Sequence, residues 1–322
     1  MKLFLPYSIG SRDIDSLFSL ANAVEKSDSE RIELDASRVE FIDPQGLAVL
    51  GAMMSRHSTR KFSMPWLPVK TAGYMARMDF FRHFDIDAVD IPNWGRRDHR
   101  DSLVELTCVT DHHECDSTAN ALADAITGTL TEADPNANPN KQGRNQFDNF
   151  RHPIWYSLSE LLENSLTHAR QRNFDASVWI ASQYYPGSGI VKMAVVDNGC
   201  GMLATLTKHP QLREQTHEAA ISTALLPRVS CNRDGTLYST HANQGVGLTT
   251  TARIARAARG TLHITSGDAC VHSRTGKSTV FPRGYWRGVA IGFECRRAQL
   301  PAIRLRDLLP PEETSFGVNF EE

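Results

Sequence analysis

At 322 residues the chain is long enough for two domains of ordinary size, each with its own core. With 41% hydrophobic residues, 22% charged residues and a formal net charge of −2, it lacks the basic excess that nucleic-acid binding leaves, and no direct nucleic-acid partner is expected. The opening apolar patch stops at Pro6 and no later apolar run is long enough to cross a bilayer, so no membrane partner is expected and the chain reads as cytoplasmic.

Residues 1 to about 95 read as a small α/β unit. An amphipathic helix is expected over Ile14 to Glu25, then a strand in R-I-E-L-D-A with Ile32 and Leu34 alternating against charges. The run V-E-F-I-D-P-Q-G-L-A-V-L-G-A-M-M predicts a strand, a turn and a second helix. In that turn Pro44 fixes φ, Gly46 is permissive, and Asp43 can cap the helix starting near Leu47. The polar run Asn93 to Arg100 marks a boundary.

Beyond it, L-V-E-L-T-C-V-T predicts a strand, Ser117 to Leu130 a helix, and residues 134–146 a loop rich in Asn and Pro. Six cysteines, at 108, 115, 200, 231, 270 and 295, are scattered too widely for a disulfide frame. Cys108, His112, His113 and Cys115 are zinc-ligand types, yet their spacing matches no standard zinc site, and a strand end with a polar turn is the preferred reading.

A helix over 151–172 carries S-E-L-L-E-N-S-L-T-H. Glu160 and Asn164 are four residues apart and share a face near Thr167 and His168, while Leu158, Leu161, Leu162 and Leu166 turn the other way. A carboxylate can take a proton from an attacking hydroxyl and an amide oxygen can complete the shell of a hard cation, a pairing that suits metal-assisted phosphoryl chemistry. Two strands follow, joined by a turn at Pro186 to Gly189. The second ends in V-V-D-N-G-C-G-M, where Asp197 can accept a hydrogen bond from the exocyclic amine of adenine and Gly199 and Gly201 let the backbone approach a flat ligand.

Residues 203–243 form a long excursion with one helix near His217 to Leu226, of the kind that serves as a lid. It returns to N-Q-G-V-G-L, where Gly245 and Gly247 open a helix whose free amides can face phosphates. Arg253, Arg256 and Arg259 are expected on the solvated face of that helix, opposite Val246, Leu248, Ile254 and Ala258. Strands are expected at T-L-H-I-T-S and R-G-V-A-I-G-F-E-C with a polar hairpin between them. The T-G-K-S tetrad within that hairpin is no P-loop, because Val271 stands where the required glycine would be.

The segment L-D-A-S-R-V-E-F-I-D-P-Q-G-L-A-V-L resembles the core of the STAS domain, the fold of bacterial anti-sigma-factor antagonists. That resemblance implies an interaction or sensing domain, but Gln45 holds the place where phosphorylated members carry serine or threonine. Further on, E-L-L-E-N-S-L-T-H, V-V-D-N-G-C-G-M and Q-G-V-G-L, in that order, resemble the ATP-binding domain of gyrase, heat-shock chaperones, histidine kinases and MutL, the GHKL or Bergerat fold, in a style close to anti-sigma-factor kinases. The expected architecture is therefore α/β in two domains: a STAS-like domain over 1–95, a linker over 96–102, a GHKL domain over 103–295 and a tail over 296–322. The second domain is expected to be a mixed sheet covered by helices on one face, with an ATP lid.

The resemblance implies ATP and Mg²⁺ as cofactors. Asn164 would bind the metal, and Asp197, Gly199, Gly201 and Met202 would form the base pocket. Gly245, Val246, Gly247 and Leu248 would meet the phosphates, and Glu160 would be the general base. The function it points to is slow ATP hydrolysis with lid closure as a switch for protein partners. The alternatives are an anti-sigma-type serine/threonine kinase acting on a separate protein, and a non-catalytic nucleotide-binding module. A homodimer is compatible with either.

Overall fold

Residues 1–92, 95, 97–128, 150–226, 229 and 247–302 are described by the structure, a computed structural model. The N-terminal half runs β1 (Lys2–Phe4), β2 (Ser8–Ile9), α1 (Ile14–Glu25), β3 (Arg31–Asp35), β4 (Phe41–Ile42) and α2 (Pro44–Arg56), then β5 (Lys61–Ser63), α3 (Val69–Arg77), α4 (Phe80–His83) and β6 (Ile86–Asp87). Strands β1, β3, β5 and β6 form a parallel sheet in the order β1-β3-β5-β6, and β2 and β4 form a short parallel ladder. Helix α1 spans the residues expected of it, and α2 begins at Pro44, earlier than expected, because Asp43 accepts the amides of both Gln45 and Gly46 at 3.1 Å and Pro44 occupies the first turn.

The second half runs β7 (Leu103–Val109), α5 (His113–Thr127), α6 (His152–Ala169), β8 (Val178–Tyr185), β9 (Ile190–Asp197), α7 (Met202–Leu206), α8 (His217–Ala224) and α9 (Gly247–Ala257), then β10 (Thr261–Gly267), β11 (Ala269–His272), β12 (Ser278–Val280) and β13 (Trp286–Arg296). Helix α5 starts four residues earlier than expected. Asp111 accepts the amide of His113 and Glu114 accepts those of Thr110 and Asp111, which caps the helix at that point. It ends at Gly128, whose φ of +73° suits glycine. The loop expected at 134–146 lies outside the described residues.

Two expectations about the large sheet need correcting. Its order is β12-β11-β10-β13-β9-β8-β7, and every pairing is antiparallel, not mixed. Helices α5 and α6 lie between β7 and β8 in the chain, and β13 enters between β9 and β10, which run the same way, so that neighbouring strands alternate in direction throughout. Helices also cover both faces. On one side α5, α6 and α9 bury Ile180, Val191, Val195, Ile264, Ile291 and Phe293. On the other, α2 packs on β8 and β9, joining Trp179, Ala181, Ala194, Val196 and Ala290 to the N-terminal core.

The reason lies in α2 itself. From Pro44 to Met54 it carries no charge and every residue is buried, so it has no face for solvent and needs a layer on each side. The boundary expected at 96–102 falls between β6 and β7, where residues 97–101 are exposed. Arg297 anchors the start of the tail, donating to the carbonyls of Asp101 and Ile126 at 2.8 and 3.1 Å with its guanidinium over the Tyr184 ring; residues 303–322 lie outside the described residues. Among the described residues no helix is long and apolar enough to cross a membrane.

Because one sheet carries both cores, Ile180→Ala on the α6 side and Trp179→Ala on the α2 side should each lower stability by about 2–5 kcal/mol. Both should shift the same denaturant transition monitored by circular dichroism. Two separable transitions, each moved by only one variant, would contradict the shared sheet.

Candidate functional site

Helix α6 buries Leu158, Leu161, Leu162 and Leu166, as its spacing predicts, and turns Asn164, Ser165 and His168 into an open-mouthed cavity of about 100 Å³, whose lining Leu161 joins although its spacing placed it on the other side of the helix. The floor is the end of β9. Asp197, 3% exposed, lines the cavity together with Gly201 and Met202; Thr205 and Leu206 of α7, Ala224 of α8, Leu248 of α9, and Val289 and Ile291 of β13 complete its wall. The walls are mostly apolar with a few polar groups, the usual character of a small-molecule site.

The turn after β9 is held from three directions. Asp197 accepts the Gly199 amide at 2.9 Å, and its backbone carbonyl accepts the Trp286 indole N–H at 3.1 Å. Ser266 of β10 accepts the Met202 amide at 3.0 Å and donates to the Gly288 carbonyl at 2.9 Å, tying the turn to β13. Asn198, buried, accepts the Ser177 amide at 2.9 Å, and its carbonyl accepts Arg56 Nη1 from α2 at 2.9 Å. The turn is preorganised by contacts from both halves of the chain.

The protein's own packing also calls for the two glycines. A Cβ on Gly199 would lie 2.3 Å from the Ala169 carbonyl oxygen at the end of α6, and one on Gly201, whose φ is +81°, would lie 2.2 Å from the Arg287 carbonyl. Both are required by the protein's own packing. Gly201 also lines the cavity; Gly199 lies behind it.

Burial pushes the Asp197 carboxyl up to about 7, the bonds from the Gly199 and Val289 amides offsetting only part of the desolvation. It therefore titrates near neutral pH. Burial also pushes His168 down to about 4, so its imidazole is neutral at pH 7.

Among the expected site residues, Asn164, Asp197, Gly201, Met202 and Leu248 share the cavity. Within the described residues the Asn164 side chain makes no hydrogen bond, which leaves its amide oxygen available to a cation. Glu160 sits one turn earlier on the same face of α6, half-buried, outside the cavity lining. Gly247 is the first residue of α9, while Gly245, Val246 and most of the expected lid lie outside the described residues. On α9, Ile254 is buried and Arg256 exposed, as expected, while Arg253, expected on the solvated face, is half-buried; just past the helix end Ala258 is buried and Arg259 exposed.

Sequence reading missed Ser266, Gly288 and Val289. A Cβ on Gly288 would lie 2.1 Å from the Asp197 carbonyl oxygen and 2.7 Å from its Oδ1, so glycine there lets β13 pass the end of β9 and its carboxylate. An isolated Gly in a strand pattern is the signal that could have found it. Cys108, His112, His113 and Cys115 are not gathered: Cys115 is buried in the α5 core, and the one cluster of metal-ligand types among the described residues lies elsewhere.

Comparison of the chain with protein-family models, with characterised protein sequences and with solved structures finds no match.

The Asp197 carboxyl yields a stability test. Its folded value is above its unfolded one, so the folded state favours the protonated form; that stabilisation is complete below about pH 4 and is lost as pH rises through about 7. Asp197→Asn removes this dependence. Thermal melts of the ligand-free proteins should show the variant gaining on the wild type between about pH 4 and 7, by at most about 4 kcal/mol, and no further above that; parallel pH profiles would show that Asp197 is not desolvated.

Proposed function

We propose that the chain binds ATP with Mg²⁺ in the α6–β9 cavity, hydrolyses it slowly, and passes the state of the site to its N-terminal half. The observation that carries this reading is the placement of a buried carboxylate, Asp197, and an unengaged amide, Asn164, on the wall of one largely apolar cavity.

Ionised Asp197 accepts a hydrogen bond from the exocyclic amine of adenine; guanine presents a carbonyl there, which a buried carboxylate rejects. Met202, Leu206, Val289 and Ile291 give a base its apolar walls and exclude water. The amides of the first turn of α9, from Gly247, suit phosphate, and Leu248 at that turn already borders the cavity. The Asn164 amide oxygen is a hard donor fit for Mg²⁺, whose chemistry is to neutralise phosphate charge. In this reading Glu160 accepts the proton of the attacking water.

The route to the N-terminal half is short. Arg56 of α2 donates to the carbonyl of Asn198, the residue after Asp197, and is itself paired with Glu25 at 3.2 Å; Glu25 also meets His57 at 3.0 Å. A ligand that shifts the Asp197 turn alters what α2 touches, which supports a switch over a free-standing hydrolase.

Release of inorganic phosphate tests the assignments. Glu160→Gln should keep nucleotide binding and lose turnover, whereas Asn164→Ala should lose the Mg²⁺-dependent part of binding; full turnover in Glu160→Gln would sink the assignment of the base. Transfer of label to a protein instead of to water would make the chain a kinase.

Arg56→Ala should change ATP affinity by about 5-fold or more, at a distance from any ligand atom. Unchanged affinity would remove α2 from the coupling.

A further inference from the structure

On the sheet face opposite the cavity, β10 and β11 bring together His263, Cys270 and His272, one ligand atom from each lying within 4.8 Å of the others. The register makes this unavoidable. His263 pairs directly with His272 across the two strands, and Cys270, two residues before His272, projects from the same face. Their neighbours Leu262, Ile264 and Val271 point into the α6-side core, which fixes the three donors on the α2 side. The imidazoles lie 4.2 Å apart, centroid to centroid, at 71°, and Cys270 is buried.

Among the described residues His263 Nδ1 is buried with no hydrogen-bond partner, a cost a native structure seldom carries without a use. Beside His263 a small cavity is lined by Ser11, Asp43, Lys192 and Glu294 together with Met193 and Phe293, and Lys192 is paired to Asp43 at 3.0 Å on its wall.

We propose that His263, Cys270 and His272 form a binding site for a zinc-class divalent ion, with a fourth position open to water. Two imidazoles and a thiolate are borderline-soft donors that suit Zn²⁺ and disfavour Mg²⁺, in contrast to the oxygen donor Asn164 on the other face. Three protein ligands on a two-stranded hairpin leave one tetrahedral position unfilled. On binding, the Cys270 S–H bond breaks, the thiolate forms a bond to the ion, and the proton leaves to solvent. The ion then staples β10 to β11, next to the β12 edge of the shared sheet. The site is independent of the nucleotide reading.

The test uses the full chain stripped with a chelator and titrated with Zn²⁺ calorimetrically, and with Co²⁺ as a spectroscopic probe. One Zn²⁺ per chain is expected at this site, undisturbed by excess Mg²⁺, with a thiolate-to-cobalt charge-transfer band that Cys270→Ser abolishes. His272→Gln, at a half-exposed position that leaves the fold intact by circular dichroism, should weaken Zn²⁺ by about tenfold or more. A His112→Ala, His113→Ala double variant should bind as the wild type does. Absence of Zn²⁺ binding in the wild type, or binding that persists unchanged in His272→Gln, would overturn the proposal.

Discussion

At its centre the seven-stranded sheet has no solvent face. Along β9, Val191, Met193 and Val195 enter the α6-side core while Ala194 and Val196 enter the α2-side core, so beyond Lys192, whose ammonium is paired with Asp43 at 3.0 Å, the strand is apolar on both sides up to Asp197. A strand so enclosed delivers its last residue into a dry environment. That residue is Asp197, and its raised carboxyl, the clamped turn behind it and the apolar cavity in front of it follow from the same burial.

The two layers that enclose β9 serve different ends. Helix α6 shapes the cavity and supplies Asn164 and His168, whereas α2 faces no ligand and holds the turn from behind through Arg56 and through the carbonyl of Ala52, 3.4 Å from the Asn198 amide. Gln45 is 2% exposed beneath β13, where a Cβ on Gly292 would lie 2.4 Å from its Oε1. A residue so enclosed is out of reach of a modifying enzyme. The N-terminal half meets the site through packing.

Much of this was legible in the sequence where one element decides its own form. The leucine stripe of α6, the Asp43 cap, the bounds of α1 and the turn between β8 and β9 depend on local spacing, and they occur where spacing puts them. What could not be read depended on partners distant in the chain. The absence of charge from Pro44 to Met54 was visible, yet nothing local says that the second layer is β8 and β9. The reversal of β13 between β9 and β10, and the clamp from Ser266 and Gly288, are likewise products of topology. His263, Cys270 and His272 look unrelated until the hairpin register, pivoting at Gly267 and Asp268, folds them onto one face.

The central claim is that Asp197 makes this cavity an adenine site. Calorimetric titration of ATP and of GTP, each with Mg²⁺, into the wild-type chain above neutral pH tests it most directly. The account predicts saturable binding of one ATP per chain, with GTP weaker by about 100-fold or more because a buried carboxylate meets the guanine carbonyl. Equal binding of the two nucleotides, or no binding of either, would contradict it.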